Sequence, residues 1–121
     1  MRINPIDELL FLLTKIVKAF DKRQTELKYF QPDKVKNILV VSSTAIGDTL
    51  LSTPAIKAVR ERYPNAIIIA HFNKANMEMF ENNPHIDGIT PYYGGYKRFF
   101  KTIREFRKHR FDLALIFHGN E

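Results

Sequence analysis

The stretch that decides the fold is residues 37–64, NILVVSSTAIGDTLLSTPAIKAVRERYP. Its opening run, NILVVSS, is a continuous series of apolar and β-branched residues, which is typical of a strand covered on both faces. A glycine and a carboxylate, Gly47 and Asp48, follow where a helical pattern begins. We expect this helix to kink or restart at Pro54, because proline has no N–H group to donate to the preceding turn.

Strand and helix patterns alternate from this stretch onward. The first helix is predicted to end at about Arg62. The later strands are predicted at residues 66–72, 86–92 and 111–117, and the helices between them at residues 74–84 and 97–110. This β-α-β-α-β-α-β order predicts an α/β fold with a doubly wound, Rossmann-like parallel sheet and right-handed crossovers. The commonest strand order is 3-2-1-4, which places the first and fourth strands side by side.

The composition indicates a globular domain with a hydrophobic core. The chain has 121 residues, of which 45% are hydrophobic, and it has no cysteine. The absence of cysteine excludes disulfide scaffolds and thiolate metal sites. The four histidines show no metal-ligand spacing, so no metal is predicted.

The net charge of +6 is spread unevenly. Residues 97–110 carry seven Lys and Arg against one acid, and residues 1–36 carry eight against five. Basic excess held in two segments indicates an anionic surface as a partner. In the helix at 97–110 the pattern predicts an inner, core-facing side made by Phe99, Ile103 and Phe106 and widened by Phe100, so nucleic acid is not expected as a partner.

Residues 5–20 read as an amphipathic helix with one broad apolar face. That face comprises Leu9, Leu10, Leu13, Ile16, Val17 and Phe20. The apolar run is too short to span a bilayer, and acids precede it where a signal peptide would be basic. Two alternatives remain open: the helix lies on a membrane surface, or it packs on its own or another domain. We therefore divide the chain into a helix and linker, residues 1–36, and a Rossmann-like domain, residues 37–121.

The predicted topology brings polar residues together at the carboxyl ends of the first and fourth strands, where such folds bind ligands. These residues are Ser42, Ser43, Thr44, Asp48, His118, Gly119 and Asn120. The turn lacks both the G-x-G-x-x-G fingerprint and the G-K-[ST] of a P-loop, so nucleotide binding there is not predicted. Asp48 is either a helix-start acid satisfied by backbone amides or a general base for a bound hydroxyl.

An ordered series of motifs adds a family resemblance. The series comprises SSTAIGD (42–48), L-x-x-T-P-A-I-x-A-V (50–59), R-x-x-Y-P (60–64), N-P-x-I-D (83–87) and F-D-L-x-L (111–115) running into G-N (119–120). Residues 37–121 thereby resemble the start of glycosyltransferase family 9, the ADP-heptose:lipopolysaccharide heptosyltransferases. Each motif is weak alone, and the series is specific.

The resemblance implies a GT-B fold, in which two Rossmann-like domains face each other across a cleft. The first domain takes the acceptor, and this chain would be the first half of it. The resemblance implies that Asp48 is the base that deprotonates the acceptor hydroxyl. It places on the acceptor side Ser43, Thr44, Gly47, His118 and Asn120. The ADP-sugar donor would be bound mainly by a second domain, with no cofactor and no metal.

The expected function is therefore that of a truncated part of a glycosyltransferase that moves a heptose or related sugar from an ADP-sugar to the lipopolysaccharide core. The alternative is a non-catalytic basic α/β module attached to an anionic membrane surface through residues 5–20 and 97–110. The expected location is cytoplasmic, peripheral on the inner face of the bacterial inner membrane. We expect residues 1–121 alone to be inactive and to self-associate through the exposed edge of the fourth strand.

Overall fold

The computed structural model describes residues 5–20, 27–94 and 98–118, apart from the side chains of Ile6, Asp7, Leu27 and His118. The chain divides into two compact units between Gln31 and Pro32. The predicted division lay after residue 36.

The first unit contains helix α1, Pro5–Phe20, and a short 3-10 helix, Leu27–Tyr29. The large apolar side chains of α1 are exposed, namely Leu9, Phe11, Leu12, Leu13, Ile16, Val17 and Phe20. Within the residues described, no helix has both the length and the hydrophobicity that crossing a membrane requires.

The second unit is a four-stranded parallel sheet with its helices. Its elements are a 3-10 helix Pro32–Lys34, β1 Asn37–Ser42, α2 Ile46–Leu51, α3 Thr53–Arg62, β2 Ile67–Asn73, a 3-10 helix Lys74–Met79, β3 Gly88–Tyr92, α4 Phe99–His109 and β4 Leu113–His118. The strands lie in the order β3-β2-β1-β4, and every neighbouring pair is parallel. The predicted fold class and strand order are confirmed.

The two faces of the sheet bury different side chains. Alternate residues of β1 and β2 form a core with Ile56 of α3, and the strand residues of that core are Ile38, Val40, Ile68, Ala70 and Phe72. On the opposite face His71 meets Phe106 of α4, with ring centroids 5.0 Å apart. α3 and α4 contact opposite faces of the sheet, so both faces of β2 are covered. The uninterrupted hydrophobic run predicted a strand covered in this way.

The helix after β1 is interrupted, as Pro54 predicted. α2 ends at Leu51 and α3 begins at Thr53, with proline in the first turn of the new helix. The Ser52 hydroxyl donates to the Thr49 carbonyl over 2.6 Å and reinforces the end of α2, where the Ser52 N–H donates to the same carbonyl over 3.3 Å. Two short helices therefore replace the single predicted one.

The inner face predicted for α4 needs one correction. Ile103 and Phe106 are half-buried, but Phe100 is 83% exposed and lies outside the core. Successive residues on a helix point about 100° apart, so Phe99 and Phe100 cannot both face the sheet. α4 ends at His109, and the next residue, Arg110, has a φ of 47°, the left-handed conformation common after a helix.

A half-buried arginine joins α3 to the starts of β2 and β3. The Arg60 guanidinium donates to the Ala66 carbonyl over 2.7 Å and to the Asp87 carboxylate over 2.6 Å. The same Asp87 oxygen accepts the Ile68 N–H over 2.7 Å. Arg60 and Asp87 belong to the R-x-x-Y-P and N-P-x-I-D motifs, so these two motifs form one clamp, which we call the Arg60–Asp87 clamp.

A second carboxylate fixes the start of β1 beside the start of β4. One oxygen of Asp112 accepts the N–H groups of Lys36 and Asn37, each over 2.9 Å. The Asp112 N–H in turn donates to the Asn37 carbonyl over 2.9 Å. The aspartate of the F-D-L-x-L motif is therefore structural.

β4 is an edge strand of the described sheet, and its α4 face is uncovered. Ala114 and Ile116 are exposed there, with 70% of Ile116 accessible. Leu113, Leu115 and Phe117 pack against the core on the other face. An apolar edge of this kind is a template for pairing with another strand, and self-association of residues 1–121 remains a prediction.

The Arg60–Asp87 clamp predicts a pH-dependent stability. Burial would raise the pKa of Asp87, but the Ile68 hydrogen bond and the Arg60 charge outweigh it, so the pKa lies below its ordinary 3.8. The stabilisation by the ionised carboxylate is therefore complete above this ordinary value and is lost as the pH falls through the lower, folded value. At pH 7, Asp87→Asn should lower the free energy of unfolding by about 1–2 kcal/mol, because charged hydrogen bonds are lost.

Urea titrations at neutral and strongly acidic pH measure this effect. The difference between wild type and Asp87→Asn should shrink in acid, where the wild-type carboxyl is protonated. The control is Asp33→Asn, which breaks the exposed ion pair with Arg62 (3.0 Å) and should cost at most about 0.5 kcal/mol. An equal loss in both variants at pH 7 would contradict a specific role for the clamp.

Candidate functional site

The carboxyl ends of β1 and β4 lie side by side. Ser42 pairs with His118, after an irregularity in register between Val41 and Ser42. The chain then leaves β1 and enters α2, with Asp48 in the first turn of this helix. The sequence prediction that these two strand ends meet is correct for the backbone, whereas Gly119 and Asn120 lie outside the described residues.

Asp48 carries a carboxylate without a local hydrogen-bonding partner. Its residue is partly exposed, and no described residue donates a hydrogen bond to its side chain, although its backbone carbonyl accepts from Ser52 over 3.2 Å. The start of a helix favours a negative charge through the backbone dipoles. The alternative in which backbone amides satisfy this carboxylate has no support among the described contacts. Its lone pairs remain available to a bound hydroxyl.

Thr44 contributes a buried hydroxyl that has no partner in the described structure. The Thr44 Oγ1 atom is inaccessible to solvent and makes no hydrogen bond there. Buried polar atoms are nearly always paired, so an orphaned hydroxyl needs a physical reason. Ser43 is buried immediately before it, at the end of β1. The turn before Asp48 therefore holds a hydroxyl group, that of Thr44, without a hydrogen-bonding partner among the described residues.

An uncharged network holds this turn in place. The Ser42 hydroxyl lies 3.3 Å from the Thr49 hydroxyl, which donates to the Ala45 carbonyl over 3.1 Å. The Asn76 amide donates to the Thr44 carbonyl over 3.3 Å and to the Thr49 hydroxyl over 3.4 Å. All contacts are neutral, so the network fixes the backbone near Asp48 without adding a charge.

Thr49 and Asn76 were missed as site residues. Thr49 lies between the motifs at 42–48 and 50–59, directly after Asp48, and a polar side chain on the helix next to the candidate base was a usable signal. Asn76 comes from the 3-10 helix after β2, 32 residues from Thr44. Nothing local in KANMEM marks Asn76 as buried, because its partners are brought to it only by the pairing of β1 with β2.

Gly47 leaves open space at the surface of the turn. A Cβ atom added to Gly47 would meet nothing within 4 Å, and the φ of Gly47 lies outside the left-handed region. Backbone strain therefore does not require glycine here. Gly47 directly precedes Asp48, so the open space at Gly47 gives a ligand room to approach the backbone next to Asp48.

His71 is a buried histidine with a structural environment. Burial lowers the pKa of His71 below its ordinary value, and a hydrogen bond with Thr90 and the charge of Glu105 raise it only in part. Its Nδ1 lies 3.0 Å from the Thr90 hydroxyl, and its ring packs edge-on against Tyr92 and Phe106. A neutral imidazole satisfied in this way packs the α4 face of the sheet.

Two of the larger described cavities lie away from Asp48. One of about 630 Å³ lies at the amino end of β1 and β2, beside Lys36, Arg62 and Tyr63. The other, of about 180 Å³, lies between His71 and the start of α4, beside Tyr93 and Arg98. In the part of the chain that the structure describes, no group of three His, Cys, Asp or Glu side chains is arranged to hold a metal ion.

The open space at Gly47 yields a prediction about stability. Gly47→Ala should raise the free energy of unfolding by roughly 0.5 kcal/mol, because alanine is the better helix former and its methyl group meets no neighbour. The matched control is Gly94→Ala, which should destabilise, because Gly94 has a φ of 73° that alanine adopts with strain. Urea unfolding of both variants measures the two effects. Destabilisation by Gly47→Ala would show that the glycine has a structural role.

No protein-family model matches the sequence, and no curated protein matches it. Among solved structures the chain is similar to "The crystal structure of the glycosyl transferase family 9 from Veillonella parvula DSM 2008", with a TM-score of 0.65 and 25% sequence identity. The match covers 70% of this chain and 26% of that chain, so this chain spans about a quarter of the solved protein. The structural likeness supports the family that the sequence motifs indicate.

Proposed function

We propose that this chain is the acceptor-side part of a glycosyltransferase and that Asp48 is its general base. The observation that carries the proposal is the Asp48 carboxylate, unpartnered among the described residues, at the carboxyl end of β1, in a fold similar to a family 9 glycosyltransferase. Parallel α/β sheets bind ligands at this edge. The carboxylate there suits a hydroxyl that must lose a proton, and it does not suit a phosphate.

The proposed reaction is a single displacement at the anomeric carbon. Asp48 takes the proton from the acceptor hydroxyl as its oxygen forms a bond to the anomeric carbon of the donor. The bond from that carbon to the nucleoside diphosphate breaks, and the diphosphate leaves with the electron pair. Attack opposite the leaving group inverts the anomeric configuration, and the charge that develops on the diphosphate needs electrostatic stabilisation.

The polar groups around Asp48 suit a sugar acceptor. We assign contacts with acceptor hydroxyls to Ser43 and Thr44, whose side chains lie at the end of β1, and close approach to Gly47. His118 and Asn120 complete the assignment on the β4 side. Thr49 and Asn76 hold the turn and do not touch the substrate.

The finer proposal follows from the motif resemblance. The donor is an ADP-sugar that carries a heptose or a related sugar, and the acceptor is the lipopolysaccharide core. Most donor contacts belong to a second domain, so residues 1–121 alone are expected to be inactive. The acceptor cleft forms between two domains in this arrangement, which accounts for the open surface above Gly47. The protein would act at the cytoplasmic face of the inner membrane.

The test is Asp48→Asn in the full-length protein that carries this chain. Transfer from ADP-heptose to a lipopolysaccharide-core acceptor should fall by about 10²-fold or more, as expected for a lost general base. KM for the acceptor should change much less than kcat, because the amide keeps the shape and loses only the basicity. The control is Asp33→Asn, which alters a carboxylate that is exposed and paired with Arg62. Turnover of Asp48→Asn close to wild type would return Asp48 to a helix-start role.

A second candidate function rests on α1. We infer, as the alternative, a non-catalytic basic α/β module held on an anionic membrane surface. The observation in its favour is the exposed apolar series of α1, which a soluble helix would normally bury. The attachment alone is compatible with the first proposal, since a glycosyltransferase for a lipid-linked acceptor works at a membrane surface; the two proposals differ in whether the chain takes part in catalysis.

Vesicle flotation tests this second function. The chain with residues 1–34 removed should lose most of its binding to vesicles that contain phosphatidylglycerol, because it loses the apolar face of α1. The remaining binding should fall in high salt, which screens the attraction between basic side chains and anionic lipid. The control deletion stops at residue 4 and keeps α1. Binding that survives both the long deletion and high salt would exclude attachment of this kind.

A further inference from the structure

One face of α4 carries only cations around a single exposed aromatic ring. This outer face of α4 consists of Phe100, Lys101, Arg104, Arg107 and Lys108, all of which are exposed. Their spacing places them on one side of the helix, opposite the half-buried Ile103 and Phe106. The ring of Phe100 is 83% exposed and lies beside these cations.

No acid neutralises this face in the part of the chain that the structure describes. Lys101, Arg104, Arg107 and Lys108 form no ion pair there, whereas Lys57 and Arg62 on α3 are paired with Glu61 and Asp33. The one acid of α4, Glu105, is half-buried and acts electrostatically on His71, on the inner side. Within residues 27–94 and 98–118, therefore, no ion pair offsets the positive charge of the outer face.

We propose that the outer face of α4 docks on an anionic phospholipid bilayer, with Phe100 inserted at the boundary between headgroups and acyl chains. The four cations surround the ring at the height where lipid phosphates lie, and each Lys or Arg near such a surface strengthens attachment. The apolar face of α4 packs on the sheet, so α4 would attach through its cations and the single inserted ring, as surface cations and an aromatic side chain act together in peripheral attachment. This proposal rests on the membrane attachment proposed above and names its surface, and it depends neither on α1 nor on the glycosyltransferase proposal.

A bilayer fits this face better than nucleic acid does. Lysine and arginine suit the phosphates and base edges of nucleic acid as well as lipid phosphates, so the cations alone do not distinguish the two partners. Sequence-tolerant binding of single strands needs a groove with several aromatic platforms, and this face has one ring. The exposed ring of Phe100 favours a bilayer, because an apolar ring beside cations can enter the acyl boundary while the cations stay at the lipid phosphates.

A tryptophan placed at the tip of the face reports insertion directly. The chain has no tryptophan, so Phe100→Trp makes the only tryptophan fluorescence in the protein. With phosphatidylglycerol vesicles we expect its emission to shift to the blue and to be quenched by brominated acyl chains. With phosphatidylcholine vesicles we expect neither change. The control is Leu51→Trp. Leu51 is also an exposed apolar residue but lies on α2, so this variant should show neither change with either lipid.

Charge reversal tests the cations. Arg104→Glu with Arg107→Glu should weaken partitioning into phosphatidylglycerol vesicles by at least about tenfold. The control is Lys34→Glu with Lys57→Glu, which changes the net charge equally on other exposed surfaces and should weaken partitioning by less than about threefold. All four positions are exposed, so thermal unfolding followed by circular dichroism should show little change for either variant.

Three results would overturn the proposal. The first is an unshifted emission of Phe100→Trp on phosphatidylglycerol vesicles, or an equal shift in Leu51→Trp. The second is an equal loss of partitioning in the two double variants, which would show that the net charge of the chain, and not the outer face of α4, determines binding. The third is a loss of affinity for a single-stranded oligonucleotide in the α4 double variant with unchanged vesicle binding, which would assign the face to nucleic acid. Because α1 is present in every variant, binding through α1 alone would leave the emission of Phe100→Trp unshifted.

Discussion

The constraint on which the rest of the structure depends is the register between β1 and β4, and one carboxylate sets it. Asp112 accepts the N–H groups of Lys36 and Asn37 where β1 and β4 begin, and its own N–H donates back to the Asn37 carbonyl. A slip of one residue would exchange the faces of β4 and would break these three hydrogen bonds. The register set there runs from Ile38 opposite Leu113 to Val41 opposite Ile116, and an irregularity after Val41 then brings Ser42 opposite His118.

The motif series contains carboxylates of two physical kinds. Asp87 and Asp112 each accept backbone N–H groups at the amino ends of strands, and Asp87 also binds the half-buried Arg60 guanidinium. One oxygen of each carboxylate is occupied in this way, and each residue joins segments distant in sequence. Asp48 lies at the opposite edge of the sheet and accepts no hydrogen bond from a described residue. The three aspartates of the motif series are therefore of two kinds. Asp87 and Asp112 hold the fold, whereas Asp48 has no described partner and is available to a ligand. The contacts distinguish the two kinds, and the motifs do not.

Much of the fold could be predicted because its signals are local. Continuous apolar runs separated by helical patterns are sufficient for the parallel α/β class, the strand order is the commonest one for that class, and Pro54 is sufficient for the break in the first helix. The parts that could not be predicted depend on distant partners. Asn76 is buried only because pairing of β1 with β2 brings Thr44 to it, and the two adjacent phenylalanines at the start of α4 compete for one face, which sequence alone does not decide. For the candidate site, the meeting of the ends of β1 and β4 followed from topology, whereas the neutral network around Thr49 did not.

The separation of the two edges of the sheet has a consequence for how such a domain evolves. The charged clamps that stabilise the fold lie at the amino ends of the strands, and the turn around Gly47 lies at the carboxyl ends, about 20 Å away for strands of this length. Substitutions more than about 7–10 Å apart act on stability almost independently. Substitutions in the turn can therefore change which ligand it binds without reducing the folding free energy that the Arg60–Asp87 clamp and Asp112 contribute. A domain with this division can diversify in specificity while its scaffold stays constant.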